Sequence, residues 1–150
     1  MYRLKPEAKS DIDRGAQIWD LYENKHVFHG IDPVEKRYLT RAHLAELVAM
    51  LGPPPMDMLE RGARSKEFFD GEGETALPKY RLKLTEVLLG NWIAEIYIPQ
   101  GLTLERSEEN LDGEKKEEFL QFVRCMLQWR PEDRWTAKES LGHLWIRGNL

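Results

Sequence analysis

Three stretches of the chain carry apolar residues at the spacing of a helix that buries one face. The first predicts a helix from Ser10 or Asp11 onward, with the apolar positions Ile18, Trp19, Leu21 and Tyr22. The second predicts a helix that Thr40 caps and Gly52 ends, with the stripe Leu44, Leu47, Val48 and Leu51. The third has the strongest stripe, with Phe119, Phe122, Val123, Met126 and Leu127.

Between the second and third helices the helical pattern weakens. "IAEIYIP", from residue 93 to 99, alternates like a short strand or an extended arm, and an acidic loop follows at 105–114. After the third helix, Thr136 and Glu139 have the spacing of a capping box and predict a short final helix. The fold class is therefore mainly α, with little β.

Composition limits the classes of function. A chain of 150 residues with 41% hydrophobic residues has enough material for a core. Its net charge of −4 has no basic stripe of the kind that binds nucleic acid. No apolar run approaches the roughly 18 residues of a membrane span, and the start lacks the apolar region of a signal peptide. We expect a protein of the cytoplasm, the nucleus or both.

Residues that carry catalysis or bind metals are not visible as a set. Cys125 lies in an apolar helical stripe and is expected to be a small buried thiol. His26 and His29 lie in a loop without acidic or thiol ligands at metal spacing. The sequence "GEGE" is acidic and lacks a following helix, so it would repel a phosphate. We predict no catalytic, cofactor-binding or metal-binding residue in this chain.

One motif is more specific than this background. The segment "FVRCMLQWRPEDRWTAKESLGHLWI" resembles the end of a eukaryotic protein kinase domain, and its matching positions include Pro131, Arg134, Thr136, His143 and Trp145. With "IWDLYENKHVFHGID" before it, the order is similar to a kinase C-lobe from helix F to helix I. The stretches "HGID" and "RSKEFF" look like the SR-protein kinase group of the CMGC kinases, with fungal members most similar.

The resemblance implies structural roles for its residues. The arginine that matches Arg134 pairs, in that family, with the glutamate that closes the activation segment. Glu7 is the candidate partner for Arg134 in this chain. Asp11 matches the residue that anchors the catalytic loop, and Trp19 aligns within helix F. These residues support catalysis and take no part in the chemistry.

The resemblance also sets the domain organisation. We predict a frayed segment at 1–10 and a partial kinase C-lobe at 11–150, with an insert at about 53–112 and an extra segment at 71–89. The Gly-rich loop, the catalytic loop and the metal-binding Asp-Phe-Gly motif of a complete kinase, which binds ATP and Mg²⁺, are not found. This chain is therefore expected to be inactive alone.

Protein substrates or kinase partners are expected to bind at the second helix and the insert. The alternative to a kinase fragment is a non-catalytic module that binds kinase partners or Arg/Ser-rich substrates there. Acidic residues dock such substrates in related kinases, but Glu46 is the only acid on this helix.

Two structural expectations follow from a C-lobe that lacks its other parts. Apolar surface should be exposed around Ile18, Trp19 and Tyr22. Arg134 should turn to solvent or pair with Glu132, Asp133 or Glu7, because an unpaired buried charge is costly.

Overall fold

The computed structural model describes residues 11–69 and 92–148, of which residues 11–14 are described by their backbone. The chain divides into two compact units. The terminal unit comprises Met1–Val27 with Thr103–Leu150, and the central unit comprises Phe28–Leu102. The predicted extra segment at 71–89 and Glu7 lie outside the described residues.

The terminal unit is helical in its described residues. Its helices are α1 (Asp11–Glu23), α4 (Leu104–Ser107), α5 (Gly113–Met126), α6 (Ala137–Ser140) and α7 (Leu144–Gly148). A 3₁₀ turn at Pro131–Asp133 lies between α5 and α6. The predicted stripe of α5 is confirmed, since Phe119, Phe122, Val123 and Met126 are all buried.

Helix α1 packs closely on the end of α5. A Cβ atom added to Gly15 would lie 3.0 Å from Met126 Cβ and 3.1 Å from Leu127 Cδ2. These contacts are tighter than most Cβ contacts, so a larger residue at this position would require Met126 and Leu127 to shift. Gly15 and Trp19 of α1 therefore meet α5, whereas Leu21 of the predicted stripe is 85% exposed, so the prediction is wrong for that residue.

The central unit contains α2 (Thr40–Leu51), α3 (Met56–Arg61) and a 3₁₀ turn at Ser65–Glu67. Gly52 ends α2 with φ of 76°, as predicted. The prediction that Thr40 caps α2 is wrong: Leu39 is the N-cap, Thr40 is the first helical residue, and no side chain caps the helix. The Leu39 N–H donates to the Gly30 carbonyl, so contact with the preceding loop fixes where α2 starts.

Regular β structure is almost absent from the described residues, as the fold-class prediction required. They contain two isolated antiparallel bridges, Ile31 with Tyr38 and Phe69 with Trp92. The alternation predicted around "IAEIYIP" is confirmed in burial: Trp92, Ala94, Ile96 and Ile98 are buried, and the residues between them are exposed. Among the described residues this segment pairs through one bridge, and it bends at residues 94–96, where the Ile96 N–H donates to the Ala94 carbonyl, so it is neither a regular strand nor fully extended.

Candidate functional site

The segment 126–137, which we call the Arg134 turn, folds back on the end of α5. Arg134 Nε donates to the Gln128 carbonyl at 2.7 Å, and its Nη2 donates to the Trp129 carbonyl at 2.7 Å. The Trp135 N–H donates to the Cys125 carbonyl at 2.8 Å. The Cys125 carbonyl is one that the end of α5 leaves without a helical partner, and the Gln128 and Trp129 carbonyls belong to the residues just after that end. The turn is therefore held by its own arginine.

Backbone oxygens accommodate part of the charge of Arg134, and its predicted pairing with Glu132 or Asp133 stays a prediction. Arg134 is half-buried and does not simply point to solvent. Backbone carbonyl oxygens accept from its guanidinium, and such bonds to a charged donor are stronger than neutral ones. The predicted pairing with Glu7 concerns a residue outside the described part of the chain. The planar guanidinium is fixed at a defined place beside α5, as a positioning residue requires.

The predicted capping box is present at the start of α6. Thr136 Oγ1 accepts from the Glu139 N–H at 3.3 Å, and the Glu139 carboxylate accepts from the Thr136 N–H at 2.7 Å. The Thr136 N–H and hydroxyl bonds lower the pKa of Glu139. Pro131 begins the 3₁₀ turn that precedes the box, where its missing N–H is not needed. Pro131 and the capping box thus shape the backbone on either side of Arg134.

His143 and Trp145 connect the final helix to the core. The His143 Nδ1 accepts from the Trp145 N–H at 3.2 Å, and its ring lies 5.4 Å from Phe122 and 5.8 Å from Trp135. His143 therefore caps α7 and bridges the Arg134 turn to the apolar interior. The sequence analysis identified His143 only as a position that matches the kinase motif, without a defined contact.

Beneath the turn lies a ring core that consists of Trp19, Tyr22, Phe119, Phe122 and Trp145. Phe119 is fully buried, and its centroid lies 5.6 Å from Trp19, 4.6 Å from Tyr22 and 5.0 Å from Trp145. Offset and edge-on pairs at such distances add to the free energy of burial. The structure thus joins two residues, Trp19 and Trp145, that are far apart in sequence.

The expected apolar exposure near α1 is correct in part. Trp19 has no exposed surface, so the prediction is wrong for this residue, because Phe119 stacks on it. Tyr22 is 38% exposed. Ile18 lines an apolar cavity of about 220 Å³ together with Trp135. Asp11 begins α1, and its predicted anchoring role stays a prediction because its side chain is not described.

The central unit holds a polar cluster that sequence reasoning missed. Asp32 is fully buried and accepts from the N–H groups of Val34 and Glu35 at 2.9 Å and from Arg41 Nε at 2.7 Å. The Glu35 N–H, then the Arg41 guanidinium and the Val34 N–H, lower the pKa of Asp32 to about 2. Asp-Pro followed by a turn and a helical arginine was the available signal.

Glu46, the only acidic residue of α2, also accepts hydrogen bonds from a loop. One of its carboxylate oxygens accepts from the N–H groups of His29 and Gly30, at 2.8 and 2.9 Å. Gly30 has φ of 63°, and an added Cβ would lie 2.5 Å from the Tyr38 ring. The "HGID" stretch thus requires glycine. Glu46 is committed to this loop, which disfavours the predicted docking of Arg/Ser-rich segments.

In the part of the chain that the structure describes, these features are hydrogen-bonded and aromatic clusters that fix backbone and side-chain positions. In residues 11–69 and 92–148, no group of three histidine, cysteine or acidic side chains could hold a metal ion. Burial raises the pKa of the half-buried Cys125 thiol, which disfavours the reactive thiolate. In the same ranges, no helix is both long and apolar enough to cross a bilayer.

The proteins that this chain resembles are protein kinases. Over 93% of its length it is 41% identical to a serine/threonine protein kinase of Aspergillus fumigatus, and it spans 31% of that protein. It is 30% identical over 88% of its length to dual specificity tyrosine-phosphorylation-regulated kinase 3 of Mus musculus, and spans 22% of it. The serine/threonine-protein kinase SRPK of Physarum polycephalum is 30% identical over 69% of the chain, which spans 21% of that protein. No protein-family model matches the chain.

The chain thus spans about a third or less of the length of each of these kinases. The sequence prediction of similarity to serine/threonine kinases is confirmed. The match with the Aspergillus protein covers almost the whole chain, and the described residues are mostly helical.

Proposed function

We propose that this chain is the supporting C-lobe segment of a serine/threonine protein kinase of the SR-protein-kinase-like CMGC type, of fungal origin. In this proposal α1 is kinase helix F, α2 is helix G, α5 is helix H, and α6 with α7 forms the helix I region. The observation that carries it is the 41% identity over 93% of the chain with the Aspergillus kinase. The complete protein would phosphorylate protein serine or threonine with ATP, in the cytoplasm, the nucleus or both.

Within that protein, the role of this segment is to hold the activation segment. Arg134 is the residue proposed to contact the glutamate that closes it. Its two bonds to the carbonyls of Gln128 and Trp129 support this role, because they fix the guanidinium before any partner arrives. The capping box and His143 connect the turn to α6, α7 and the ring core.

The chain alone is proposed to transfer no phosphate. Phosphoryl transfer needs a lysine on the nucleotide phosphates, an aspartate at the substrate hydroxyl and side chains that hold Mg²⁺. The sequence contains neither the loop nor the Asp-Phe-Gly motif that supplies these groups. The segment supports a reaction whose chemical groups lie elsewhere in the complete kinase.

The first experiment tests inactivity directly. The purified 150-residue chain is melted with and without ATP and MgCl₂, and transfer of labelled phosphate to a serine-containing peptide is measured. We expect no change in melting temperature and no transfer, while the full-length Aspergillus kinase serves as the active control. A saturable rise in melting temperature together with transfer would overturn the proposal of an inactive segment.

The second experiment tests the supporting role. Residues 11–148 of this chain replace the matching segment of the Aspergillus kinase, and kcat and KM for a protein substrate are measured. We expect the chimera to stay active and Arg134→Met to lower kcat by at least about 10-fold, with Arg134→Lys in between. Arg106→Met, on the short helix α4, is the control. A folded chimera without activity would contradict the kinase assignment.

A further inference from the structure

The central unit has a cavity of about 360 Å³ whose lining is rich in arginine. The residues that matter here are Glu35, Arg37, Thr40, Arg41, Arg64 and Phe68, which we call the arginine pocket. Its three arginines come from three places: the loop before α2, the first turn of α2, and the segment after α3. Among the residues that the structure describes, one carboxylate, that of Glu35, shares the lining with them.

Two of the arginines, Arg41 and Arg64, are each held in place by a hydrogen-bonded carboxylate. Arg41 donates through Nε to the buried Asp32 carboxylate, and within the described residues its two terminal nitrogens make no hydrogen bond. Arg64 donates to both Glu67 oxygens, at 2.8 and 2.6 Å, and lies over the Phe68 ring at 5.6 Å. The hydrogen bond to Asp32 raises the pKa of Arg41, and the negative charges of Glu35 and Glu95 raise it further. The guanidinium groups are thus positioned before any ligand binds.

The third arginine is held more weakly. Arg37 reaches a single Glu35 oxygen through Nε at 3.5 Å and Nη2 at 3.4 Å, near the limit of a hydrogen bond. Both side chains are largely exposed, 66% for Arg37 and 46% for Glu35. Exposed pairs of this kind contribute little to stability. An incoming anion can therefore replace Glu35 without disturbing the fold.

We propose that the arginine pocket binds the phosphoryl group of a phosphorylated serine or threonine in a peptide. A phosphoryl group presents three oxygens in a tetrahedral arrangement, which suits donors that converge from three segments. A carboxylate is planar, and one guanidinium fork can satisfy it. The Thr40 hydroxyl supplies a further donor at the same lining.

The ligand class is opposite in charge to the one that the sequence suggested. Related kinases dock basic Arg/Ser-rich segments on acidic residues of this region, whereas here the lining is basic and Glu46 is committed to the loop at Gly30. Binding to this pocket does not depend on catalysis by the chain. The proposal therefore stands or falls independently of the kinase assignment.

The test is a binding measurement on the full 150-residue chain. Fluorescein-labelled decapeptides with a central phosphoserine in a random Gly/Ala/Ser background are compared with the same peptides carrying serine or aspartate. We expect the phosphoserine peptides to bind at least about 10-fold more tightly than either control, with an affinity that falls as salt increases.

Variants of both partners in the Arg37–Glu35 pair make the test more specific. Arg37→Gln should weaken phosphopeptide binding by about 5-fold or more, because a charge-assisted donor is lost. Glu35→Gln should strengthen it by a few-fold, because the internal competitor for Arg37 is removed. Arg61→Gln is the matched control, since Arg61 is an exposed arginine of α3 that does not line the pocket. Melting curves establish that each variant is folded.

Several results would overturn the proposal. Equal affinity for phosphoserine and aspartate peptides would remove the phosphoryl assignment. Competition by inorganic phosphate at the same affinity would show an adventitious ion only. Tighter binding of a single-stranded RNA than of any peptide would assign the arginines to nucleic acid. A folded Glu35→Gln variant with unchanged affinity would show that the pocket is not the binding site.

Discussion

The two units of this protein differ in the interactions that stabilise each of them. The terminal unit is organised around aromatic rings, and Phe119 contacts three of them. The central unit places two carboxylates, Asp32 and Glu46, where backbone N–H groups donate to them. The terminal unit also has such a carboxylate, Glu108, which accepts from the N–H groups of Asn110 and Leu111, so the units differ in how far each depends on aromatic burial and on hydrogen bonds that fix loops.

This difference indicates how each unit serves function. A ring core makes a rigid base on which the Arg134 turn is fixed. Loops held by carboxylates present polar side chains at defined places, as with Arg41 beside Asp32. The first arrangement suits a supporting role, and the second suits recognition of a ligand. Substitutions in each unit can test whether the two types of stabilisation are truly separate.

The largest expected effect is in the ring core. Phe119→Ala should lower the free energy of unfolding by about 3–5 kcal/mol, because a fully buried aromatic side chain leaves a cavity. Urea denaturation followed by tryptophan fluorescence measures the change. Tyr97→Ala, at a residue that is 66% exposed in the central unit, is the control and should change stability little. A loss below about 1 kcal/mol for Phe119→Ala would mean that the rings do not hold this unit together.

The next effect concerns Asp32 and pH. Its folded pKa of about 2 lies below the ordinary value of 3.8, so its ionised form stabilises the folded state at pH values above about 4. This contribution should disappear as pH falls from about 4 to 2. Asp32→Asn should lower the melting temperature at pH 7 and reduce the drop between pH 4 and 2.

The control for the Asp32 prediction is Glu67→Gln in the same unit. The pKa of Glu67 is also lowered, chiefly by Arg64, but its side chain is 52% exposed. The substitution should have a much smaller effect at pH 7, since exposed pairs are worth little. Equal effects for the two substitutions would show that burial of Asp32 adds nothing.

A gain in stability is expected at Glu23 in the terminal unit. Its side chain has no exposed surface, neither carboxylate oxygen has a hydrogen-bond partner among the described residues, and Lys25 Nζ lies 3.8 Å away. Glu23→Met should therefore raise the free energy of unfolding by roughly 1–3 kcal/mol, the cost of an unsatisfied buried polar group. Glu109→Met, at a 73% exposed side chain, is the control. A loss of stability in Glu23→Met would mean that this carboxylate has a partner that stabilises it.

The smallest effect separates two threonines that begin helices. Thr136→Val removes an observed cap and should cost about 1 kcal/mol. Thr40→Val should cost less, because Thr40 caps nothing and Leu39 occupies the N-cap position. Thermal denaturation of the two variants provides the comparison. Equal losses would contradict the assignment of the caps.

Local signals in the sequence predicted features of both units. The stripe of α5, the capping box at Thr136 and the stop at Gly52 depend on residues within a few positions of each other. Such features are set by backbone geometry and by helical spacing, which a sequence displays directly. The Thr40 cap failed because a tertiary bond from Leu39 to Gly30 decided where that helix begins.

The sequence by itself determined the helical class, the stripe of α5, the Arg134 motif and the likeness to protein kinases. Only the tertiary structure decided that Trp19 is covered by Phe119 and that Arg134 is held by backbone carbonyls. It alone brought arginines from three segments to one pocket. The physical reason is distance along the chain: helical spacing acts over a few residues, whereas burial and charge pairing depend on which distant residues meet.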